Sequence, residues 1–316
     1  MMGLGMFFLS CFNTRAQDYP VKPIRLIIPF ATGGANDVFG RMIAQKMSQA
    51  FRQSVVSENH AGAGGSVGME MVARSIPDGY TLVLGNIANL SVNPTLYPKL
   101  GYNPLVDLQP ISLISKVPSL LVVHPSLPVR NVEGLIRLAR TQPGFLTFGT
   151  GGAGSGSHLT MELFKYQAKI DLIHVPYKGV APALVDLLAG QISMSFSSVP
   201  GVLPYIRSQR LRALATSGPQ RVAILPEVVT ISEAGLKQFE ATLWYGLLAP
   251  AGTPLYIVDR LHDTLIQTLR STEFQQKLAA EGAEPIGSSA LTFKNFISSE
   301  IQRWAKVIKA SGMRPE

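Results

Sequence analysis

Apolar positions along the chain follow two rhythms that take turns. Some form short continuous runs, and others recur three or four residues apart. Residues 24–30 (IRLIIPF), apolar but for Arg25, read as a buried strand. Residues 37–51 then place Val38, Met42, Ile43, Met47 and Phe51 near helical spacing. Strands are predicted at residues 54–58 and 81–85. A helix around 68–75 lies between them and stops at Pro77-Asp78-Gly79. A strand at 111–117 and the continuous apolar run 120–123 close this first set. A second set opens with a helix near 132–141 and reads as strands at 146–149, 171–175, 192–196 and 211–216, with helices at 157–166 and 182–189. A last strand-like segment, 243–248, leads into three helical patterns at 254–270, 273–281 and 293–311. Strand and helix in alternation predict an α/β protein whose parallel sheets are covered by helices.

The last helical patterns have no sheet beside them in sequence. The chain is therefore expected to return and lay them on its first sheet. Two crossings are then needed, with the extended stretches 116–125 and 242–250 as candidates. The domains predicted are residues 17–115 plus 246–316, and residues 116–245, hinged around a cleft. In open α/β sheets ligands sit at the carboxyl ends of strands, which directs attention to the strand-to-helix loops.

Composition fits this picture. A chain of 316 residues suits two such domains, and 46% hydrophobic content with only 15% charge describes a folded protein. The net charge of +8 comes from scattered Lys and Arg with no nucleic-acid-binding signature, so no nucleic acid partner is expected. An anionic ligand is one reading of that charge, and simple solubility is another. Residues 3–12 (GLGMFFLSCF) have the length of a signal-peptide apolar region. Thr14 and Ala16 supply small residues before Gln17, so residues 1–16 are read as an export signal. No Lys or Arg precedes the run, and a buried N-terminal helix is the alternative. Cys11, the single cysteine, lies inside this segment, which leaves the mature chain without a disulfide or a thiol nucleophile. No later stretch reaches the ~18 apolar residues of a membrane span.

Candidate chemistry sits in the loops. Pro29-Phe30-Ala31-Thr32-Gly33-Gly34-Ala35-Asn36-Asp37 leaves a buried strand and opens a helix. Paired glycines let a ligand approach the backbone, and free amides at a helix start favour an anion, although a tight turn explains the same residues. Thr150-Gly151-Gly152-Ala153-Gly154-Ser155-Gly156-Ser157-His158 repeats the arrangement and adds three hydroxyls. Gly149, Gly151 and Gly154 match the dinucleotide fingerprint, but the next strand ends at His174-Val175, with no acid there to hold a ribose. A serine hydrolase would need an elbow and an orienting acid that are not apparent, so His158 is read as a hydrogen-bonding residue of the cleft. The five histidines show no metal-ligand spacing. Asn59-His60-Ala61-Gly62-Ala63-Gly64-Gly65 is a third glycine-rich loop, explicable as turn chemistry. Tyr177 and Lys178 follow another strand. Ser197 and Ser198 place hydroxyls at a strand end, and Asn86 lies just past the strand at 81–85.

Taken in order, these segments resemble one family. Tyr19-Pro20, Lys22-Pro23-Ile24-Arg25-Leu26-Ile27-Ile28-Pro29-Phe30 and Gly33-Gly34 with Asp37 resemble the opening of mature Bug-type proteins, the substrate-binding components of tripartite tricarboxylate transporters. Glu58-Asn59, Gly62-Ala63-Gly64-Gly65, Pro77-Asp78-Gly79-Tyr80-Thr81-Leu82, His174-Val175-Pro176-Tyr177-Lys178-Gly179, Glu233-Ala234-Gly235 and Ala249-Pro250-Ala251-Gly252-Thr253-Pro254 continue it. The resemblance implies a two-domain, periplasmic-binding-protein-like fold (type II, Venus flytrap) with a ligand cleft between the domains. It implies a periplasmic, non-enzymatic receptor, monomeric and without cofactor, that captures a small carboxylate for membrane permease subunits. An alternative is a ligand-loaded sensor docking on a signalling kinase. In the family the carboxylate is held mainly by backbone amides, hydroxyls and bridging waters. Carried over, this points to Phe30, Ala31, Gly33, Gly34 and Asp37, and to Thr150, Gly151, Ser155, Gly156 and His158. Asn86, Ser157, Tyr177 and Ser197 complete the candidate set. The family usually has Arg- or Lys-Pro where His60-Ala61 stands, Thr or Ser at Asn36, an acid or small residue at Ser197 and a glycine at Val180. Ser197 and Val180 bear on the distal pocket, so ligand identity does not carry over.

Overall fold

The computed structural model describes residues 19–32, 35–152 and 154–314. The export signal read at residues 1–16, with Cys11, lies outside the described residues, as do Gly33, Gly34 and Ala153. The first elements among the described residues are β1 (Ile24–Ile28), α1 (Ala35–Phe51), β2 (Val55–Asn59), α2 (Ser66–Ala73) and β3 (Thr81–Asn86). A π-helical turn, Ala88–Val92, leads into the short α3 (Asn93–Leu96) and then β4 (Leu108–Val117). Next come β5 (Ser119–Val123), α4 (Val132–Thr141), β6 (Thr147–Thr150), α5 (Gly156–Ala168), β7 (Ile173–Pro176), α6 (Val180–Leu188), β8 (Met194–Ser198), α7 (Val199–Arg207) and β9 (Arg212–Thr216). The chain ends in β10 (Leu243–Pro250), α8 (Leu255–Arg270), α9 (Thr272–Ala280), β11 (Glu284–Pro285) and α10 (Ala290–Ser311).

These strands form a six-stranded sheet ordered β11-β4-β10-β3-β1-β2 and a five-stranded sheet ordered β7-β6-β8-β5-β9. The chain leaves the first sheet at Pro118, between β4 and β5, and rejoins it at β10. Both sheets are mixed rather than parallel throughout. β10 runs antiparallel to β3 and β4, and β5 runs antiparallel to β8 and β9. The strands that enter each sheet from the other one account for the reversal, because they arrive from the edge where the helix-linked strands end. The strands β2, β1 and β3, and likewise β7, β6 and β8, are parallel.

Burial explains the sequence rhythm. β1 pairs on both edges and is covered on both faces, so it needs apolar residues of either parity. Leu26 packs with α1 and α8, whereas Ile27 packs with Met69 and Val72 of α2. On α1 the inward residues are Phe39, Met42, Ile43, Met47 and Phe51. Val38, expected on that face, is 56% exposed, and Phe39 takes its place. Helices α8 and α9 join the same cluster through Ile257, Leu261, Leu265 and Phe274, while α10 packs on the opposite side with the π-helical turn and α5. Where β10 enters the first sheet, the indole N–H groups of Trp244 and Trp304 each donate to Glu300 Oε2 at 3.1 Å, and Arg303 donates to Oε1 at 3.0 Å. That buried carboxylate is therefore compensated on both oxygens. Helix α7 was not expected: Pro200 is harmless in its first turn, but Gly201 and the internal Pro204 disguise the pattern.

Candidate ligand-binding cleft

Parallel strands put their carboxyl ends on one edge, so the loops after β1, β2 and β3 gather on the first sheet and those after β6, β7 and β8 on the second. The two edges meet. A Cβ built on Gly156 would lie 2.2 Å from Leu243 Cδ2 at the start of β10, and one on Gly154 would lie 3.9 Å from Leu96 Cδ2 in α3. The Gly156 backbone thus closes on Leu243, and a side chain there would strike β10.

On the first edge the polar groups form one connected frame. Asp37 is buried in the first turn of α1, where its charge also suits the helix dipole. Its Oδ1 accepts from Arg41 Nε at 2.8 Å and from Asn59 Nδ2 at 3.0 Å. The same Asn59 amide donates to the Phe30 carbonyl at 2.9 Å, and its Oδ1 accepts from Arg41 Nη2 at 2.9 Å. Arg41 is thereby neutralised. Asn86 ties β3 back to the first loop by donating to Asn36 Oδ1 at 2.8 Å, and its own Oδ1 accepts from Ala88 N at 3.0 Å to start the π-helical turn. Phe30 is half-buried and Ala31 exposed.

Asn89 was missed by sequence reasoning. Its Oδ1 accepts from Asn86 N at 2.9 Å, but its Nδ2 is buried without a hydrogen-bond partner among the described residues. That nitrogen lies 3.1 Å from where a Cβ of Gly65 would stand, as do Phe30 Cζ and the Pro29 carbonyl. Gly65 also holds φ +89, so both space and backbone require glycine. The signal in the sequence was a series of Asn residues at strand ends, Asn59 and Asn86, continued at Asn89 and Asn93 along the following turn.

The second edge is built differently. Thr150 is fully buried; its hydroxyl lies 2.6 Å from His174 Nε2 and accepts from Gly152 N at 3.2 Å. Gly151 N donates to Ser157 Oγ at 3.1 Å, Gly154 N to His158 Nδ1 at 3.0 Å and Ser155 N to the Gly152 carbonyl at 3.2 Å. Ser155 caps α5, accepting from His158 N at 3.4 Å and lying 3.1 Å from Ser157 Oγ. Several loop amides are thus already engaged within the loop. The first-turn N–H groups of Gly156 and Ser157 have no intrahelical acceptor, as at any helix start, and stand beside the two serine hydroxyls.

His158 stacks on His174 with ring centroids 4.0 Å apart and planes 10° apart, and Phe148 continues the pile. Burial, then the neighbouring His174 and Lys165, push the His158 imidazole down to about 3. Two other candidates are turned away from an open role. Tyr177 donates to Asp186 in α6 at 2.6 Å, and burial with that carboxylate pushes its phenol up to about 12. Ser197 is buried in β8 opposite Leu120 and donates to Ser195 at 3.4 Å. Val180, 38% exposed, lies over Gly151, whose Cβ would stand 3.2 Å from Val180 Cγ2. Among the described residues no group of His, Cys, Asp and Glu could hold a metal ion, and no helix is long and apolar enough to cross a membrane.

Known proteins match this arrangement along nearly the whole chain. Residues 39–313 match the family described as tripartite tricarboxylate transporter family receptor. The chain belongs to that family. BugT of Bordetella pertussis is 38% identical over 300 residues, covering 95% of this chain and 92% of BugT. Among solved structures, R. palustris Rpa4515 with adipate is 37% identical with a TM-score of 0.82, covering 95% of this chain and 100% of that one. MatC from Rhodopseudomonas palustris with bound malate is 30% identical with a TM-score of 0.78, covering 92% of this chain and 100% of that one. The α/β fold of two sheets is that of the periplasmic binding proteins, with two domains around a ligand cleft. The family is one of receptors, which sets aside the dinucleotide and hydrolase readings of the glycine loops.

Proposed function

We propose that this chain is a periplasmic, monomeric receptor that captures a small carboxylate between the loops after β1 and β6 and delivers it to membrane permease subunits. The observation that carries this reading is the pairing of two strand-to-helix loops across one cleft, each opening a helix and neither offering an unneutralised cation of its own. Arg41 is spent on Asp37 and Asn59, and residues 150–157 contain no Lys or Arg. Attraction then comes from the N-termini of α1 and α5, each contributing ~0.3–1 kcal/mol, and from directed N–H and hydroxyl donors. The adipate and malate seen with Rpa4515 and MatC support a carboxylate as the ligand class.

Phe30, Ala31, Gly33, Gly34 and Asp37 are assigned to one wall, with Asn86 behind it; Asp37 acts by bracing the loop. Thr150, Gly151, Ser155, Gly156, Ser157 and His158 form the other wall, and Tyr177 and Ser197 lie behind it. The domains are residues 17–115 plus 246–316 and residues 116–245, hinged where the chain crosses at Pro118 and before β10. A cradle split between two domains can hold an anion firmly and release it when the halves separate. A thermal-shift screen against mono-, di- and tricarboxylates and aromatic acids tests the reading. A ligand at 100 times its Kd raises stability by about 2.7 kcal/mol, and a screen in which no carboxylate shifts the transition refutes it.

A further inference from the structure

We propose that His158 is a positioning residue of the cleft, holding the second loop through the lone pair on Nδ1, with His174 as a second support acting through the Thr150 hydroxyl. The proposal rests on the reading of that loop as one wall of the ligand site. The backbone N–H of Gly154 can only donate, so Nδ1 of His158, 3.0 Å away, must be unprotonated. A neutral ring then carries its proton on Nε2, which points towards Glu162 Oε1 at 3.8 Å. Glu162 is itself held by Lys165 at 2.9 Å, and both belong to α5. On the other face, the parallel ring of His174 reaches Thr150 Oγ1 at 2.6 Å, and that oxygen accepts from Gly152 N.

Two imidazoles therefore grip the loop at two amides, one directly and one through a hydroxyl, from opposite ring nitrogens. Gly152 and Gly154 carry no side chain and have positive φ, +110 and +71, so neither has side-chain packing of its own to fix it. A fixed acceptor at each glycine supplies what side chains do not.

The two grips differ in geometry, and amide side chains separate them. The Oδ1 of Asn stands near the place of imidazole Nδ1, and the terminal group of Gln near that of Nε2. His158→Asn should keep the Gly154 contact, whereas His158→Gln and His158→Phe should lose it. At His174 the order should reverse, with Gln tolerated better than Asn. Amide hydrogen exchange of Gly154 in the ligand-free protein reads this directly: at least about tenfold faster exchange is expected in His158→Gln and His158→Phe, and near wild-type exchange in His158→Asn. Adipate titration should follow the same order. A residue that merely stabilised the fold would not separate Asn from Gln, and equal behaviour of the two would overturn the proposal. If the variants fail to fold, the nitrogen-15 imidazole spectrum of the wild-type protein decides, since a proton on Nδ1 of His158 rules the contact out and one on Nε2 supports it. The exchange and tautomer readouts need no ligand. Failure of wild-type protein to bind adipate or any other carboxylate would count against the proposed function, leaving His158 to be judged on exchange and tautomer.

Discussion

The first cleft loop is braced by an ion pair and the second by stacked imidazole rings. Behind the first, Asp37 and Arg41 cancel each other at 2.8 Å and share Asn59, which also holds the Phe30 carbonyl. Behind the second, the Gly154 amide is held by His158, and the Gly152 amide by Thr150, whose hydroxyl lies against His174. The frames differ, yet both leave the cleft without a free positive side chain in either loop. In the proposed function an anion is met by oriented backbone and hydroxyl donors, whose strength depends on geometry and therefore on whether the two edges are together. Charge on a flexible side chain would follow the ligand as the cleft opened; a split cradle cannot.

The largest effect expected of a substitution at neutral pH separates packing from ligand contact. Gly156→Val places a side chain against Leu243 in a contact of 2.2 Å, which should cost ~1–3 kcal/mol of stability by overpacking and push the two edges apart. Thermal unfolding of Gly156→Val alone and with Leu243→Ala tests this. Recovery of both stability and binding in the double variant is expected. A Gly156→Val protein as stable as wild type that has lost only binding would mean the residue faces the ligand instead.

Next in size is the brace of the first loop. Asn59→Leu removes a donor to Asp37, a donor to Phe30 and the acceptor for Arg41 while Asp37 stays buried. A loss of ~1–2 kcal/mol is expected in chemical denaturation, since Arg41 still partners the carboxylate. Binding should weaken further than that stability loss alone explains, because the loop itself is released. Equal binding by Asn59→Leu and wild type would separate the brace from the site.

The elements were legible where burial is two-sided. The run IRLII reads as a buried strand and pairs on both edges, and the continuous apolar stretch of β5 is likewise flanked, by β8 and β9. Three kinds of feature were not legible. The reversal of β5 and β10 depends on pairing between residues more than seventy positions apart, such as Leu121 and Phe196, which no local pattern encodes. Helix α7 was hidden by its prolines and glycine, and the π-helical turn has no 3.6-residue period to find. At the site, glycine loops marked the place but not its frame. The stacking of His158 on His174 arises only when α5 is laid over β7, and the buried Nδ2 of Asn89 follows from the irregular turn that carries it.

A titration should distinguish the His158 brace from the charged one. The His158 imidazole is pushed from its ordinary 6.5 down to about 3, so the unfolded chain binds its proton first. Between those values the unfolded state holds more protons than the folded one. The stability contributed by neutral His158 is therefore complete above about pH 6.5 and is lost as pH falls towards about 3, at up to ~1.4 kcal/mol per pH unit. Unfolding measured from pH 7 to pH 4 should show this slope in wild type, and His158→Asn should flatten it. An unchanged slope in the variant would assign the acid sensitivity to other groups.

The smallest effect expected is at Lys178, and its smallness is the point. It is exposed on the loop after β7, one residue beyond Tyr177, and is the cation nearest in sequence to Gly179 and the start of α6. If the carboxylate were held by an ion pair, Lys178 is where the second edge could supply one. A cradle of amides and hydroxyls predicts instead that Lys178→Ala changes affinity by less than about twofold, within the ~0.5 kcal/mol usual for a surface substitution. The same cradle predicts weak salt dependence, because short directed hydrogen bonds are less screened than exposed charges across ~8–10 Å of electrolyte. Isothermal titration of wild type and Lys178→Ala at low and high salt measures both. Loss of binding in Lys178→Ala, with wild-type affinity collapsing at high salt, would replace the backbone cradle by a side-chain ion pair.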